Sequence, residues 1–280
     1  MGKQYYYLIS GLRDLINDPG NRTVIIDEFI RFCEEELDSK DFIVLKKLFL
    51  FNDIKNIIAR NSGIKDFVYP SYYSIEEFNE NEKDTDSFLP FIAEYFNNKR
   101  SDKRIYPDLN ETDELIHLFY DHLNSDDSDF VKKYFEFELN LRNISNAISM
   151  RINGKIDREK LIYHGDYIEN IIKSNTLDMG LADEFTFIPK LIEAYNTADL
   201  IKIEKTIDEI RWNWIEQETD LDFFGAPVVF GYMIKLISVE RWLSIDTPKG
   251  KAVLDELINR IRESVKFSNE YINGGGSNNG

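Results

Sequence analysis

The segment from Asn124 to Lys155 constrains the fold most strongly, because it reads as one long α-helix with a marked start and a marked end. Aspartates stand where a helix N-cap and first turn favour negative charge. They are Asp126, Asp127 and Asp129. Gly154 stands where helices commonly end in a left-handed residue, and Lys155 follows the last turn. Between these ends, apolar residues recur every three or four positions, which at ~100° per residue places them in one stripe ~80° wide. They are Phe130, Tyr134, Phe137, Leu141, Ile144, Ile148 and Ile152.

A second row of the same predicted helix carries Glu138, Arg142 and Asn146, each four residues after the last. Glutamate followed by arginine at this spacing stabilises a helix by roughly 0.2–0.5 kcal/mol. Such a row usually marks a solvated face, and a contact surface is the alternative.

The remaining pattern is also helical, so we predict an all-α fold of roughly ten helices. Further helices are predicted at 23–37, 39–60, 87–98, 112–123, 157–173, 183–195, 197–217, 223–245 and 247–271. Residues 64–86 read as a loop, 100–107 as a polar linker and 18–21 as a turn. The aromatic and β-branched run from Tyr5 to Leu12 is the one convincing candidate for a short strand or extended arm.

Three of the predicted helices end alike, which indicates an internal repeat. Asp53 and Asn56 align with Asn143 and Asn146, and both helices are followed by a glycine, Gly63 and Gly154. A weaker third copy contains Glu240 and Trp242. We therefore predict one domain over 1–273, built of three modules at about 1–99, 100–195 and 196–273, with a flexible tail at 274–280. Chance similarity between amphipathic helices is the alternative.

Charge and composition exclude several classes of function. The net charge of −17 argues against nucleic acid and anionic membrane surfaces, and suits a basic protein partner or simple solubility. No apolar run reaches the ~20 residues that span a bilayer, and no signal peptide is recognisable. The single cysteine, Cys33, excludes an internal disulfide and suits a reducing compartment, so we expect a cytoplasmic protein. Three glutamates follow Cys33 and are expected to raise its pKa.

No catalytic, cofactor or metal motif is recognisable in the sequence. His117 and His122 diverge on a helix because they are five residues apart, and Asp121 lies four residues after His117, which is too little for a metal site. The acids at 126–129 superficially resemble the magnesium-binding motif of prenyl-transfer enzymes, but their place at a helix start favours capping. We predict no catalytic residues, no cofactor and no metal.

Three stretches carry a family resemblance. The stretch FELNLRNISNAISMRINGK resembles a helix end in the C-subunit family of V-type and A-type ATPases (the d-subunit in eukaryotes), in which an acid, an Asn-Ile pair and an arginine precede Gly-Lys. The stretch PVVFGYMIKLISVERWLSIDTPKGKAVLDELINRIRE resembles the C-terminal part of that family. The opening YYYLISGLRDL is similar to the start of an uncharacterised bacterial family encoded beside V-type ATPase genes, in which Arg13 is often replaced by proline. The resemblance covers nearly the whole chain for the bacterial family and about a third for the C-subunit family.

The resemblance implies three helical modules around a pseudo-threefold axis. It also implies a non-catalytic role, in which the protein couples the central shaft of a rotary ATPase to the membrane rotor ring during ion transport. The expected partners are those shaft and ring proteins, with no nucleic acid and no lipid insertion, and the expected location is peripheral to the inner membrane. A free-standing helical adaptor and an enzyme of unrecognised type are the alternatives.

We predict that a few polar residues at the repeated helix ends are structural or interface residues and not ligands. They are Asp53, Asn56, Glu138, Arg142, Asn143, Asn146, Glu240 and Trp242.

Overall fold

A computed structural model describes residues 3–12, 26–124, 128–154, 157–220 and 222–246, with the backbone alone at 158 and 243–246. Within these ranges the chain is helical, which confirms the predicted all-α class. The helices are α1 (Tyr6–Ser10), α2 (Ile26–Glu36), α3 (Ser39–Lys47), α4 (Leu50–Asn61), α5 (Ile75–Asn81), α6 (Pro90–Ser101), α7 (Glu111–Leu123), α8 (Asp129–Ile152), α9 (Ile168–Lys173), α10 (Ile188–Asn196), α11 (Leu200–Thr219) and α12 (Ala226–Asp246). Two 3-10 turns lie at Thr85–Ser87 and Arg158–Lys160.

Helix α8 contributes to three hydrophobic clusters. Val131 and Phe135 pack in the first cluster with α4 to α7. Phe130 packs in the second, which combines α1 to α3 with α12. Ile144 and Ile148 pack in the third with α9 to α11. Because these clusters surround α8, residues beyond the predicted stripe are also buried, while Ile152 of the stripe is exposed.

The ends of α8 are capped by local hydrogen bonds. The Ser128 hydroxyl accepts the backbone N–H of Val131 at 3.3 Å, and Asp129 lies in the first turn. Gly154 follows the helix with a φ of +68°, as its place predicts. Asp126, Asp127 and Lys155 lie outside the described residues.

The prediction of an extended segment over Tyr5–Leu12 is wrong, because Tyr6–Ser10 forms the single helical turn α1. An isolated antiparallel bridge joins Gln4 to Gly225, and the described part of the chain offers no strand beside it. A helical turn satisfies its own backbone groups, as in the hydrogen bond from Ile9 N to Tyr5 O at 2.9 Å. The Tyr5 hydroxyl donates to the Asp41 carboxylate, which holds the segment against α3.

The predicted loop over 64–86 contains a helix, α5, so that prediction is wrong in its second half. Ser74 and Glu77 form a capping box, in which the Ser74 hydroxyl accepts the Glu77 N–H at 3.1 Å and the Glu77 carboxylate accepts the Ser74 N–H at 2.8 Å. Phe78 then anchors the helix in the first cluster. The Ser-x-x-Glu spacing that marks this start is visible in the sequence.

The single helix predicted over 39–60 is instead two helices, α3 and α4, which break at Leu48 and Phe49. Leu45 of α3 packs in the second cluster, whereas Ile54 of α4 packs in the first. The break therefore lets consecutive apolar faces turn towards different clusters.

The helix predicted over 157–173 is also wrong, because only Ile168–Lys173 forms an α-helix. Side chains of α8 bind the backbone of Lys160 and Ile162, so this stretch runs back along α8 as a 3-10 turn followed by irregular chain. Gly165, with a φ of +85°, then turns the chain before α9.

The later predicted helices begin a few residues late but are otherwise present as α10, α11 and α12. Pro189 and Pro227 lie in the first turns of α10 and α12, where proline leaves no hydrogen bond unmade. The helix predicted over 247–271 and the tail at 274–280 lie outside the described residues. No helix in the described part of the chain combines the length and apolar character needed to cross a membrane.

Candidate functional site

The predicted site residues Asp53 and Asn56 bind the chain that returns after α4. The Asp53 carboxylate is fully buried and accepts the backbone N–H groups of Tyr72 at 2.7 Å and Tyr73 at 3.1 Å. Asn56 donates to the Val68 carbonyl at 3.1 Å and accepts the Val68 N–H at 2.7 Å. We call this arrangement the first clamp.

Asn143 and Asn146 bind the chain that returns after α8, and we call this arrangement the second clamp. The Asn143 amide donates to the Ile162 carbonyl at 2.9 Å and accepts the Ile162 N–H at 3.0 Å. Asn146 donates to the Lys160 carbonyl at 3.0 Å. In both clamps the residue nearer the helix N-terminus binds further along the returning segment, so that segment runs antiparallel to the helix.

The spacing within the two clamps also agrees. Tyr72 follows Asp53 by 19 residues, and Ile162 follows Asn143 by 19 residues. Gly63 and Gly154 end the two helices with φ values of +75° and +68°. The aligned residues therefore have the same role at both helix ends, which is to hydrogen-bond the backbone of the returning segment.

The third predicted copy makes different contacts. Trp242 donates its indole N–H to the Asp208 carboxylate at 2.6 Å, and Glu240 accepts the Ile26 N–H at 3.1 Å. Gly250 and Lys251, which follow this copy as Gly154 and Lys155 follow the second, lie outside the described residues.

Glu138 belongs to a partly buried ionic cluster that joins α8, α11 and α12. The Glu138 carboxylate accepts both the Nε–H and the Nη2–H of Arg211, the second at 2.9 Å. Asp208, only 5% exposed, accepts from Arg211 Nη1 and from Arg241 Nη2 at 2.6 Å each. Through Arg241 and the indole of Trp242, Asp208 ties α11 to α12, and Arg211 ties α11 to α8.

The predicted row of Glu138, Arg142 and Asn146 is therefore neither wholly a solvated face nor wholly a contact surface. Glu138 is part of a partly buried contact, whereas Arg142 is exposed. Sequence reasoning missed Asp208, because one acid on an amphipathic helix has the appearance of a solvated residue. A signal existed in the arginine three residues later, Arg211, which sits at ion-pairing distance on a helix.

Burial shifts the pKa of two titratable side chains in the core. Burial raises the pKa of Asp53 from its ordinary value of 3.8 to about 7, although its two backbone hydrogen bonds oppose the shift. Burial likewise raises the pKa of Cys33 to about 12. The direction expected for Cys33 is confirmed, and its cause is burial and not the glutamates that follow.

The histidines contact separate partners. The imidazole of His117 lies 2.8 Å from the Asp113 carbonyl and accepts the Tyr163 N–H at 3.3 Å. His122 lies 2.6 Å from Glu94. Among the described residues, no group of three or more His, Cys, Asp or Glu side chains could hold a metal ion.

A groove of about 890 Å³ lies between α8 and α11, the end of α7 and the loops at 164–167 and 184–187. Its floor is aromatic, with Trp214 stacked on Phe137 at 4.8 Å between ring centroids. Phe185 continues this floor, 4.8 Å from Tyr167. None of these residues was predicted as a site, because they come from distant parts of the sequence.

The rim of the groove is charged. It carries Lys133, Lys190, Glu136, Asp166, Glu184 and Glu218. Both lysines are paired, Lys133 with Glu218 at 2.8 Å and Lys190 with Glu209 at 2.7 Å. The other three acids have no basic partner within ion-pair distance among the described residues, so the rim keeps an excess of negative charge.

Comparison with known proteins gives a family without an assigned function. A family model described as "Protein of unknown function (DUF2764)" matches residues 1–265. A protein of Chlamydia muridarum, named "Uncharacterized protein", is 23% identical over 284 residues, covering 94% of this chain and 99% of its own length. No solved structure matches the chain.

Proposed function

This chain belongs to the DUF2764 family, whose model covers residues 1–265, and we propose that it is a non-catalytic coupling subunit of a rotary ATPase. In this role it joins the central shaft to the membrane rotor ring of a V-type or A-type enzyme. It is then held at the inner membrane by protein contacts alone.

The observation that carries the proposal is the way α8 holds the molecule together. This helix includes the stretch that resembles the rotary ATPase family, and it contributes to all three hydrophobic clusters. The second clamp fixes its C-terminal half, and the ionic cluster ties it to α11 through Glu138.

A protein that couples shaft to ring has to pass torque without deforming, which requires elements that open only when the whole domain opens. The buried hydrogen bonds of Asn143 favour that behaviour, since opening them leaves uncompensated polar groups in the core, and the partly buried ion pair of Glu138 adds to them. The described polar residues at the helix ends are thus used for rigidity.

The proposal is tested by isolating the tagged chain from its native host in mild detergent, with an untagged strain as the background control. We expect the shaft, the ring and the catalytic proteins of the ATPase in a fixed ratio. Recovery of the chain without them, from cells whose ATPase is intact, contradicts the proposal and leaves a free-standing adaptor.

A further inference from the structure

We infer that the groove between α8 and α11 binds a basic amphipathic α-helix of a protein partner. For the identity of that partner the inference rests on the proposed coupling role. The chemistry of the bound segment follows from the groove itself.

The size of the groove suits a helix. An α-helix with its side chains is about 10–12 Å across and rises about 5.4 Å per turn. A cylinder of that size has a volume of roughly 500 Å³ per turn. A helix that is half embedded therefore fills about 250 Å³ per turn. The groove of about 890 Å³ then accommodates roughly three to four turns.

The floor suits the apolar face of such a helix. Trp214, Phe137 and Phe187 form one surface, with Phe187 5.6 Å from Phe185 between ring centroids. Trp214, Phe185 and Phe187 are each only partly buried, so their ring surface is available to a partner. In helix-in-groove recognition the apolar face of a helix lies on such a hydrophobic surface, and tryptophan is enriched among the residues that dominate binding energy.

The rim selects the charge of the partner. Glu136 and Asp166 are exposed, and neither has a basic partner among the described residues. Glu184 accepts only the Tyr167 hydroxyl at 2.7 Å within the described contacts. Lysine or arginine on the flanks of a bound helix would pair with these acids, whereas an acidic helix would be repelled.

The direct test uses the full chain and a synthetic Lys/Leu amphipathic peptide of about 14 residues, which is the amount of helix that the groove volume accommodates. A Glu/Leu peptide with the same length and the same leucine positions is the control for charge. We expect the basic peptide to bind and its affinity to fall as the ionic strength rises from about 0.05 M to about 0.5 M. We expect no binding of the acidic peptide.

Two matched variants locate the binding. Glu136→Lys with Asp166→Lys reverses the groove charge and should weaken binding roughly tenfold or more. Glu35→Lys with Glu80→Lys makes the same change in net charge at exposed residues elsewhere, and should leave binding within a factor of about two. Glu136→Gln with Asp166→Asn is a milder pair in case the charge reversal disturbs folding. Equal weakening by the groove and control pairs would overturn the inference, since net charge alone would then explain binding.

The same variants separate this inference from the proposed function. If the tagged wild type recovers the shaft and the groove variant recovers it in the same ratio, the coupling role stands and the groove inference fails. If the wild type recovers no rotary ATPase protein but the peptide result holds, the coupling role fails and the groove inference stands.

Discussion

The two clamps perform the same task with different side chains. Asp53 of the first clamp faces two N–H groups, those of Tyr72 and Tyr73, so both of its terminal atoms must accept hydrogen bonds. Asn143 of the second clamp faces one N–H and one C=O, both of Ile162, so it must accept and donate. The returning backbone therefore decides between a carboxylate and an amide at this position.

The largest effect is expected for Asn143→Asp, because Asn143 is only 1% exposed and its amide N–H is needed by the Ile162 carbonyl. The carboxylate would face that carbonyl oxygen without a donor, and the free energy of unfolding should fall by about 3 kcal/mol or more at neutral pH. Denaturant unfolding measures this loss. Asn146→Asp, at a less buried residue of the same clamp, is the control and should lose about 1 kcal/mol or less. Equal losses would remove the distinction between the two sites.

The reciprocal change, Asp53→Asn, tests the first clamp. An amide can accept only one of the two N–H groups, so the variant should lose about 1–3 kcal/mol of stability near pH 5. Because the folded pKa of Asp53 is raised to about 7, the folded protein holds a proton between about pH 4 and 7 that the unfolded chain has released. The stability that this group contributes is therefore present at low pH and lost as pH rises through 7.

The wild type should have a higher free energy of unfolding than Asp53→Asn at pH 5, and this difference should become smaller by pH 8. Only the wild type titrates at this position, so only its stability falls over this range. Unfolding curves of both proteins across this pH range measure the gap. A gap that widens with pH would mean that hydrogen bonding outweighs burial and that the pKa of Asp53 is lowered.

A smaller difference in the loss of stability is expected between Asn56→Ala and Asn146→Ala. Asn56 is 2% exposed and makes two hydrogen bonds to Val68, so its loss should reduce stability by about 2 kcal/mol. Asn146 makes one hydrogen bond, to the Lys160 carbonyl, and its loss should reduce stability by less than about 1 kcal/mol. Thermal unfolding of both variants ranks them, and a reversed order would refute this comparison.

The smallest losses of stability are expected for alanine at the glycine that ends each clamp helix, and they should be equal in the two clamps. Gly63→Ala and Gly154→Ala place a Cβ in the left-handed region but meet no atom within 4 Å, so each should cost about 1 kcal/mol from backbone strain alone. Gly11→Ala is the control, because Gly11 has a φ of −86° and should tolerate the change within about 0.5 kcal/mol. Melting temperatures of the three variants check this, and a loss at Gly11 equal to the others would rule out strain as the cause.

Helical periodicity predicted the fold class and the course of α8 because those patterns are local. The start of α5 was also local, in Ser74 and Glu77, but the polar tract around it favoured a loop. The failure over 157–173 has a tertiary cause, since Asn143 and Asn146 bind the backbone that the pattern assigns to a helix. The groove could not be predicted, because its floor joins Phe137, Phe185 and Trp214 through folding alone.

Amide hydrogen exchange tests most directly the claim that the clamps and α8 form one stiff body. The N–H groups of Val68, Tyr72 and Ile162 are each bound by a clamp side chain in a segment outside any helix. We expect these three amides to exchange as slowly as those in the middle of α8, through global unfolding. Exchange at the rate of an exposed loop would contradict the claim, because the returning segments would then open independently of the helices that hold them.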